Sequence, residues 1–323
     1  MNVVYFLVQN TLPVAIPLLL TALGGMFSER SGVINLALEG IMLFGAFFGC
    51  LTTYYIGSAM NPQLVLIIAL LVAALAGAIY SLALSFAAVN MKADQTIVGT
   101  AMNMLVPAMV LLISKMFFMS DGITTSVNFY IQKIPLLGDI PVIGQLFFQK
   151  TYLTVYIGIA VMVIAQILLY KTKFGLRLRA CGEHPQAADS VGINVYRMRY
   201  AGVTISGILG GLGGFAYAVG IMDGNCNGHT GVAGFGFLAL AVMIFGQWKP
   251  IRILLAALFF AFLRQLSNSV MLIPFLYNLN IPKVVYNILP YVATMVVLAF
   301  IIAFLPHQQM VFISSIVSAK AIR

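Results

Sequence analysis

Two polar side chains, Asn35 and Glu39, interrupt an apolar stretch near the start of the sequence. They are four residues apart, so on an α-helix they would share one face. Polar and ionisable groups inside a membrane are costly and usually face the interior of a helix bundle or a water-filled cavity. The pair therefore predicts one of two roles: it lines a path for a polar solute, or it ties neighbouring helices together.

A second polar stripe, Thr96, Thr100 and Asn103, repeats at helical spacing and ends before Pro107. Because proline lacks a backbone donor, it can kink a helix at this point. The stripe either faces the same cavity as the first pair or forms ordinary hydrogen bonds between helices. The candidate path residues are Asn35, Glu39, Thr100 and Asn103.

The sequence lacks the usual catalytic patterns. It contains no G-x-x-x-x-G-K-[ST] loop and no H-E-x-x-H pair, and His184, His229 and His307 fall in predicted loops or the tail. The spacing of Asp223, Cys226 and His229 matches no strong metal-ligand pattern. We therefore expect no catalytic residue, no metal site and no cofactor in this chain.

Glu39 is the one acidic residue in the predicted membrane helices. A proton-coupled carrier would often show a chain of Asp, Glu and His residues in its membrane interior. Energy for uphill transport would therefore have to come from another subunit.

The composition places these residues in a membrane. The 323-residue sequence is 62% hydrophobic and 8% charged, against about 25% charged in a soluble domain, and its mean hydropathy is +1.03. Because a spanning helix needs about 20 mainly apolar residues, we predict an all-α polytopic membrane protein of about nine transmembrane helices, with residues 1–323 as a single domain. The nine stretches are 3–26, 32–57, 64–90, 96–119, 152–170, 200–221, 233–248, 252–273 and 284–305.

The segment 171–199 sets the predicted orientation, because basic residues favour the cytoplasmic side. Its basic residues are Lys171, Lys173, Arg177, Arg179, Arg197 and Arg199. This segment is therefore expected in the cytoplasm, the N-terminus outside and the C-terminus inside. Residues 120–151 then form a long external segment, whose prolines and glycines break it into pieces too short to span. That segment either seals helix ends or docks an external partner.

Two glycine-rich stretches resemble each other, SGVINLALEG at 31–40 and TGVAGFGFLAL at 230–240. The predicted topology makes them run in opposite directions, as in an inverted repeat, and such interrupted segments point to a midplane substrate site. The alternative is a chance match. Residues 221–250 could also enter the membrane as two half-helices, so the predicted helix count ranges from eight to ten.

A row of small residues recurs every four positions: Ser206, Gly210, Gly214 and Ala218. Small residues at this spacing let helix backbones approach closely. We expect this row to pack against a neighbouring helix, with a part in the solute path as the alternative.

The cytoplasmic segment contains a predicted short helix, PQAADSVG, delimited by Pro185 and Gly192. Proline suits a first helical turn, and glycine suits the position just past a helix end. Held between membrane helices, such a helix would protrude and could dock a cytoplasmic partner. The alternative to docking is that the surrounding arginines only follow the orientation rule and bind anionic headgroups.

Five stretches together carry a family resemblance. They are ERSGVINLALEGIMLFGAF at 29–47, QTIVGTAMNML at 95–105, GLRLRACGEHPQAADSVGINV at 175–195, GFGFLALAVMIFGQWKP at 234–250 and LPYVATMVVL at 289–298. In this order they resemble the permease subunits of ABC importers for branched-chain amino acids, simple sugars and nucleosides, over nearly the whole chain. The first and last stretches look most like the nucleoside branch.

The resemblance implies a coupling helix and a set of partners. The helix that contacts the ATPase would contain Ala187, Ala188, Asp189, Ser190 and Gly192, although the Glu of the family's E-A-A pattern is absent here. The implied partners are a cytoplasmic ABC ATPase holding ATP and Mg²⁺, a second and paralogous permease chain, and an extracellular substrate-binding protein. The implied location is the plasma membrane of a prokaryote, in contact with lipid and with no nucleic acid.

The sequence thus predicts a non-enzymatic permease subunit of an ATP-driven nucleoside importer. A simple sugar, in particular a pentose, is the nearest alternative solute, because a nucleoside contains one. Alternatives from other classes are an ATP-independent channel or carrier and a non-transporting membrane scaffold.

Overall fold

The computed structural model describes residues 3–125, 127–133, 149–229 and 231–269, together with Ile288, Val292 and Met295. The chain divides into two units, Met1–Gln265 and Leu266–Arg323. Apart from those three single positions, the predicted stretch 284–305 lies outside the described residues.

The described residues form ten α-helices, four short strands and one π-helical turn. The helices are α1 (Val3–Arg30), α2 (Leu38–Ile56), α3 (Pro62–Ser85), α4 (Gln95–Phe118), α5 (Leu153–Lys171), α6 (Lys173–Glu183), α7 (Pro185–Ser190), α8 (Val195–Gly220), α9 (Phe235–Phe245) and α10 (Pro250–Asn268). The π-helical turn Phe86–Asn90 continues α3. Seven helices of the described part are long and apolar enough to cross a membrane: α1 to α5, α8 and α10.

Helix α8 is the centre of the first unit. It packs against α1, α2 and α3, and most of its side chains are buried. Helices α4 and α5 instead expose large apolar side chains, among them Met104 and Ile164. Because lipid tails are as apolar as these side chains, close van der Waals packing and hydrogen bonds, rather than the hydrophobic effect, hold such helices together.

Helix α9 is shorter than the span predicted for residues 233–248. The stretch 233–248 is predicted to cross the membrane, but α9 contains only 11 residues. At about 1.5 Å per residue it covers roughly half of a hydrocarbon core that is about 30 Å thick. Left-handed backbone at Gly231 and Gly234, with φ of 53° and 79°, delays the start of the helix to Phe235.

Helix α2 begins later than the predicted stretch 32–57. Its first residue is Leu38, and residues 31–37 form turns and non-helical backbone. This segment is nevertheless inside the protein, since Ser31, Asn35 and Ala37 are fully buried. The prediction that Asn35 and Glu39 share one helix face is therefore wrong.

Two small antiparallel ladders lie at one end of the bundle. Strand β1 (Gly122–Ile123) pairs with β4 (Cys226–Asn227), and β2 (Tyr130–Lys133) pairs with β3 (Gln149–Tyr152). Three of these strands belong to the predicted external segment 120–151, which is thus partly extended rather than all-α. Its residues 134–148 lie outside the described part of the chain.

The other end of the bundle carries α6 and α7. The sequence predicts the short helix α7 and misses α6, whose buried face consists of Gly175, Leu178 and Cys181. The Thr172 hydroxyl caps α6 by accepting a hydrogen bond from the Gly175 amide at 3.2 Å. Such N-caps satisfy donors that a helix leaves free at its start.

Candidate functional site

Asn35 lies in the non-helical segment 31–37, where its side chain forms hydrogen bonds in place of those that a helical backbone would make. Its Oδ1 accepts a hydrogen bond from the Ala37 amide at 3.0 Å, and its Nδ2 donates to the Ser206 hydroxyl at 2.9 Å. Asparagine side chains often compete in this way with helical hydrogen bonds. Asn35 therefore ties the segment to α8, and the helix begins only after it.

Asn103 binds the same segment from α4. Its Nδ2 donates to the Leu36 carbonyl at 2.7 Å, and its Oδ1 accepts from the Gly40 amide at 2.8 Å. The second bond satisfies an amide in the first turn of α2, which has no partner within its own helix. Gly40 permits this contact, because a side chain there would come within 3.0 Å of the Met102 carbonyl oxygen.

Glu39 connects the first turn of α2 with the first turn of α9. Its Oε1 accepts a hydrogen bond from the Gly234 amide at 2.8 Å, and its Oε2 accepts from the Gly236 amide at 2.6 Å. A carboxylate is favoured at a helix N-terminus because of the free amides and the helix dipole. A side chain at position 236 would overlap the backbone of Glu39, so the close approach of the two helices requires glycine.

Thr100 does not join this network. It is exposed on α4, and its hydroxyl donates within its own helix to the carbonyls of Thr96 and Ile97, at 2.9 and 3.0 Å. The structure therefore brings Asn35, Glu39 and Asn103 together around the start of α2 and leaves Thr100 on an open surface.

The predicted row of small residues on α8 is buried. Ser206 receives the hydrogen bond from Asn35, and Ala218 is 1% exposed. A side chain at Gly210 would lie 2.8 Å from Ile41, and one at Gly214 would overlap the Met42 carbonyl. This face of α8 thus packs directly on α2.

A second face of α8 makes equally close contacts that the sequence reasoning missed. Side chains at Gly207 and Gly211 would overlap the backbone of α3, at the carbonyls of Gly77 and Ala73 respectively. The available signal was the doubled glycine pattern GGLGG at 210–214, which places small residues on more than one side of a helix.

The short helix α7 protrudes from the bundle on one anchor. Ala188 is 3% exposed, whereas Ala187, Asp189 and Ser190 are exposed. Gly192 adopts a left-handed conformation with φ of 82°, with the helix ending before it. These residues present an exposed convex surface of two helical turns or fewer.

Helix α6 abuts the junction between α1 and segment 31–37. The backbone at Gly182 touches the Arg30 carbonyl so closely that no side chain would fit, and a side chain at Gly32 would lie 3.4 Å from Gly182. The Arg30 guanidinium also lies 3.7 Å from the Glu183 carboxylate, with Glu183 largely exposed. Because exposed ion pairs contribute little, the backbone contact is the firmer connection.

The chain matches the family model described as the permease component of branched-chain amino acid transport systems, over residues 7–305. It is 46% identical to the guanosine ABC transporter permease protein NupQ of Bacillus subtilis, over 92% of each chain. It is 42% identical to the nucleoside ABC transporter permease protein NupC of Lactococcus lactis, again over 92% of each chain. The nucleoside ABC transporter permease protein NupB of the same organism is 36% identical over 33% of this chain and 29% of its own. No solved structure gives a significant match.

These relatives are transport subunits rather than enzymes, in agreement with the absence of catalytic patterns from the sequence. Together with the seven candidate spans of the described residues, the matches identify a multi-pass protein of the plasma membrane. The chain belongs to the family of branched-chain amino acid transport system permease components.

Proposed function

We propose that the chain is the membrane-spanning subunit of an ATP-driven importer for nucleosides. The observation that carries this proposal is the 46% identity to a guanosine permease over 92% of both chains. The 42% identity to a nucleoside permease supports the same solute class. A nucleoside offers ribose hydroxyls and base edges, and a path that hydrogen-bonds these groups rejects solutes that leave its own polar groups unpaired.

The proposed path runs along the exposed side of α4, past the contact between α2 and α9. Thr100 presents a hydroxyl on this surface, and Glu39 and Asn103 are half-buried. Asn35 is fully buried, so its contribution is to hold segment 31–37 in place. The starts of α2 and of the shorter helix α9 carry partial positive charge, which favours the oxygen atoms of a polar solute.

The same contact supports an inverted repeat. Helices α2 and α9 each follow a non-helical, glycine-containing segment, and the first turns of both meet at Glu39. Interrupted helices at corresponding places in two oppositely oriented halves form midplane substrate sites in other transporters. We place the N-terminus outside and the C-terminus inside, so the α6–α7 end faces the cytoplasm.

In this orientation α7 is the coupling helix, with Ala187, Asp189, Ser190 and Gly192 facing the ATPase and Ala188 holding the helix to the bundle. A push on α7 reaches α6, whose Gly182 touches Arg30. Arg30 leads directly into segment 31–37, and this segment carries the hydrogen bonds to α4 and α8. The contacts thus form a short path from the coupling surface to the α2–α9 junction.

The proposed complex contains partners that supply what this chain lacks. A cytoplasmic ABC ATPase binds ATP and Mg²⁺, an extracellular binding protein delivers the nucleoside, and a second permease chain completes the membrane domain. A paralogous second chain is supported by NupB and NupC, two nucleoside permeases of one organism that both resemble this chain.

The test is ATP hydrolysis by the purified intact complex in lipid vesicles. Guanosine or uridine should stimulate hydrolysis and accumulate inside, whereas ribose at the same concentration should do neither and should not compete. Stimulation by ribose alone would overturn the nucleoside assignment in favour of a pentose. Accumulation by vesicles that contain only this chain would overturn the ATP-driven mechanism.

A further inference from the structure

A cavity of about 300 Å³ opens at the α7 end of the bundle. It lies between the π-helical turn that continues α3, the connection to α4 and the first turns of α8. Ala88 and Val89 contribute an apolar wall, and the polar side chains that line it are Lys92, Gln95, Tyr196 and Arg199. The transport path proposed above does not use this cavity.

The cavity carries uncompensated positive charge. Its described lining includes two cations, Lys92 and Arg199, and no carboxylate. Neither cation forms an ion pair within the described residues. The acid nearest in sequence, Asp94, already accepts hydrogen bonds from the amides of Thr96 and Ile97, at 2.7 and 3.1 Å.

Arg199 has a hydrogen-bond donor that the described protein leaves unused. Its Nε is buried and has no partner, whereas about 90% or more of buried polar groups in proteins are satisfied. The planar guanidinium matches carboxylate and phosphate oxygens through paired hydrogen bonds. Because this Nε is shielded from water, an anionic ligand in the cavity would accept hydrogen bonds from the terminal nitrogens of the Arg199 guanidinium rather than from Nε.

Lys92 is held in an unusual backbone conformation at the cavity mouth. Its φ is 54°, a left-handed value that residues other than glycine rarely adopt. Hydrogen bonds on either side fix this turn, from the Met91 amide to the Phe86 carbonyl at 3.2 Å and from the Ala93 amide to the Ala87 carbonyl at 3.0 Å. Strained residues and π-helical turns both cluster at functional sites.

We propose that this cavity binds a phosphate group between Lys92 and Arg199. Basic cavities between membrane helices bind the headgroups of anionic lipids, and a free phosphate ion presents the same oxygens. Gln95 adds a donor, because its Oε1 accepts from the Ile34 amide at 2.8 Å and its NH₂ group remains for the ligand. Bound phosphate would thus restrain Gln95 and, through Ile34, segment 31–37. This proposal is independent of the solute that is transported.

The experiment measures lipid and anion binding to the intact, delipidated complex by native mass spectrometry. The ligands are dioleoyl phosphatidylglycerol, dioleoyl phosphatidylcholine and sodium phosphate. Lys92→Gln and Arg199→Gln should each weaken binding of the first phosphatidylglycerol about fivefold, and the double variant about 25-fold, as expected for two independent basic residues near a membrane surface. Arg197→Gln is the matched control, because this exposed arginine of α8 lies outside the cavity.

The outcomes separate the ligand source from the site itself. If sodium phosphate displaces phosphatidylglycerol and shows the same losses in the variants, the site accepts free phosphate; if only the anionic lipid binds, the ligand is a headgroup. Unchanged phosphatidylglycerol binding in the double variant, or an equal loss in Arg197→Gln, would overturn the proposal. If Arg199→Gln fails to fold, the binding measured for Lys92→Gln tests the proposal by itself. Lys92 is exposed, so we expect this variant to fold.

Discussion

Replacing Glu39 by alanine removes the acceptors of two backbone amides at the start of α9. The Gly234 and Gly236 amides donate to the two carboxylate oxygens at 2.8 and 2.6 Å. Neither amide has a partner within α9, because the first four amides of a helix lack one. The substitution therefore leaves both donors unsatisfied and frees the half-helix from α2.

The expected cost follows from these two bonds. An orphaned buried donor costs about 1–3 kcal/mol, so two donors set a range of about 2–6 kcal/mol. Because Glu39 is half-buried, water replaces part of the lost bonding, and we expect about 2–3 kcal/mol. Glu39→Gln keeps one acceptor oxygen and should lose about half as much, since its NH₂ group would face the other amide.

The assay compares the melting temperature of the purified complex with its nucleoside uptake per assembled complex. We expect the wild type to have the highest melting temperature, Glu39→Gln a lower one and Glu39→Ala the lowest. The control is Thr100→Val, whose hydroxyl bonds only within its own helix; it should change stability by less than about 0.5 kcal/mol while lowering uptake. A Glu39→Ala complex that melts like the wild type but fails to transport would refute the helix-tie reasoning and make Glu39 a solute contact.

Three further predictions concern packing, coupling and pH. Gly214→Ala places a methyl group against the Met42 carbonyl, so the complex should lose about 1–3 kcal/mol of stability by overpacking, measured by thermal melting; an unchanged melting temperature would contradict the close contact. Asp189→Lys reverses an exposed charge on α7, so nucleoside stimulation of ATP hydrolysis should fall while the melting temperature stays at the wild-type value. Hydrogen bonds from the Ile97 and Thr96 amides hold the pKa of Asp94 below its ordinary value of 3.8, so this cap stabilises α4 above that value and its contribution is lost as the pH falls through the lowered pKa. Asp94→Ala should therefore melt below the wild type at about pH 7, and the difference should close once the pH falls below the lowered pKa of Asp94; a difference that persists in stronger acid would refute the cap.

The sequence predicts best those features that local chemistry determines. The bilayer requires long apolar helices, so hydropathy locates the seven candidate spans of the described residues. Proline at 185 and glycine at 192 delimit α7, because one suits a helix start and the other a left-handed end. These signals lie within a few residues of the structure that they predict.

Long-range hydrogen bonds decide the features that the sequence reasoning missed. The start of α2 depends on Asn35 reaching Ser206, which is 171 positions away in sequence. The start of α9 likewise depends on Glu39, from another part of the chain. A spacing of four residues predicts a shared helix face only where a helix is present, and these partners determine where the helix begins.

The amphipathic helix α6 was missed for a different reason. Its basic residues dominate the segment and indicate its orientation, while its buried side is made of Gly175, Leu178 and Cys181. Three small or medium side chains give a weak apolar pattern. They suffice here because α6 rests on backbone, at Arg30 and Gly32, rather than on a deep side-chain core.

The single anchor of α7 has a consequence for engineering. Since only Ala188 in this helix is buried, the outward residues can be exchanged for those of a related permease without disturbing the interior. A graft limited to positions 186, 187, 189 and 190 would test whether recognition between subunits is modular. If the ATPase of the related importer drives transport by such a hybrid, its recognition of the permease depends on those four side chains.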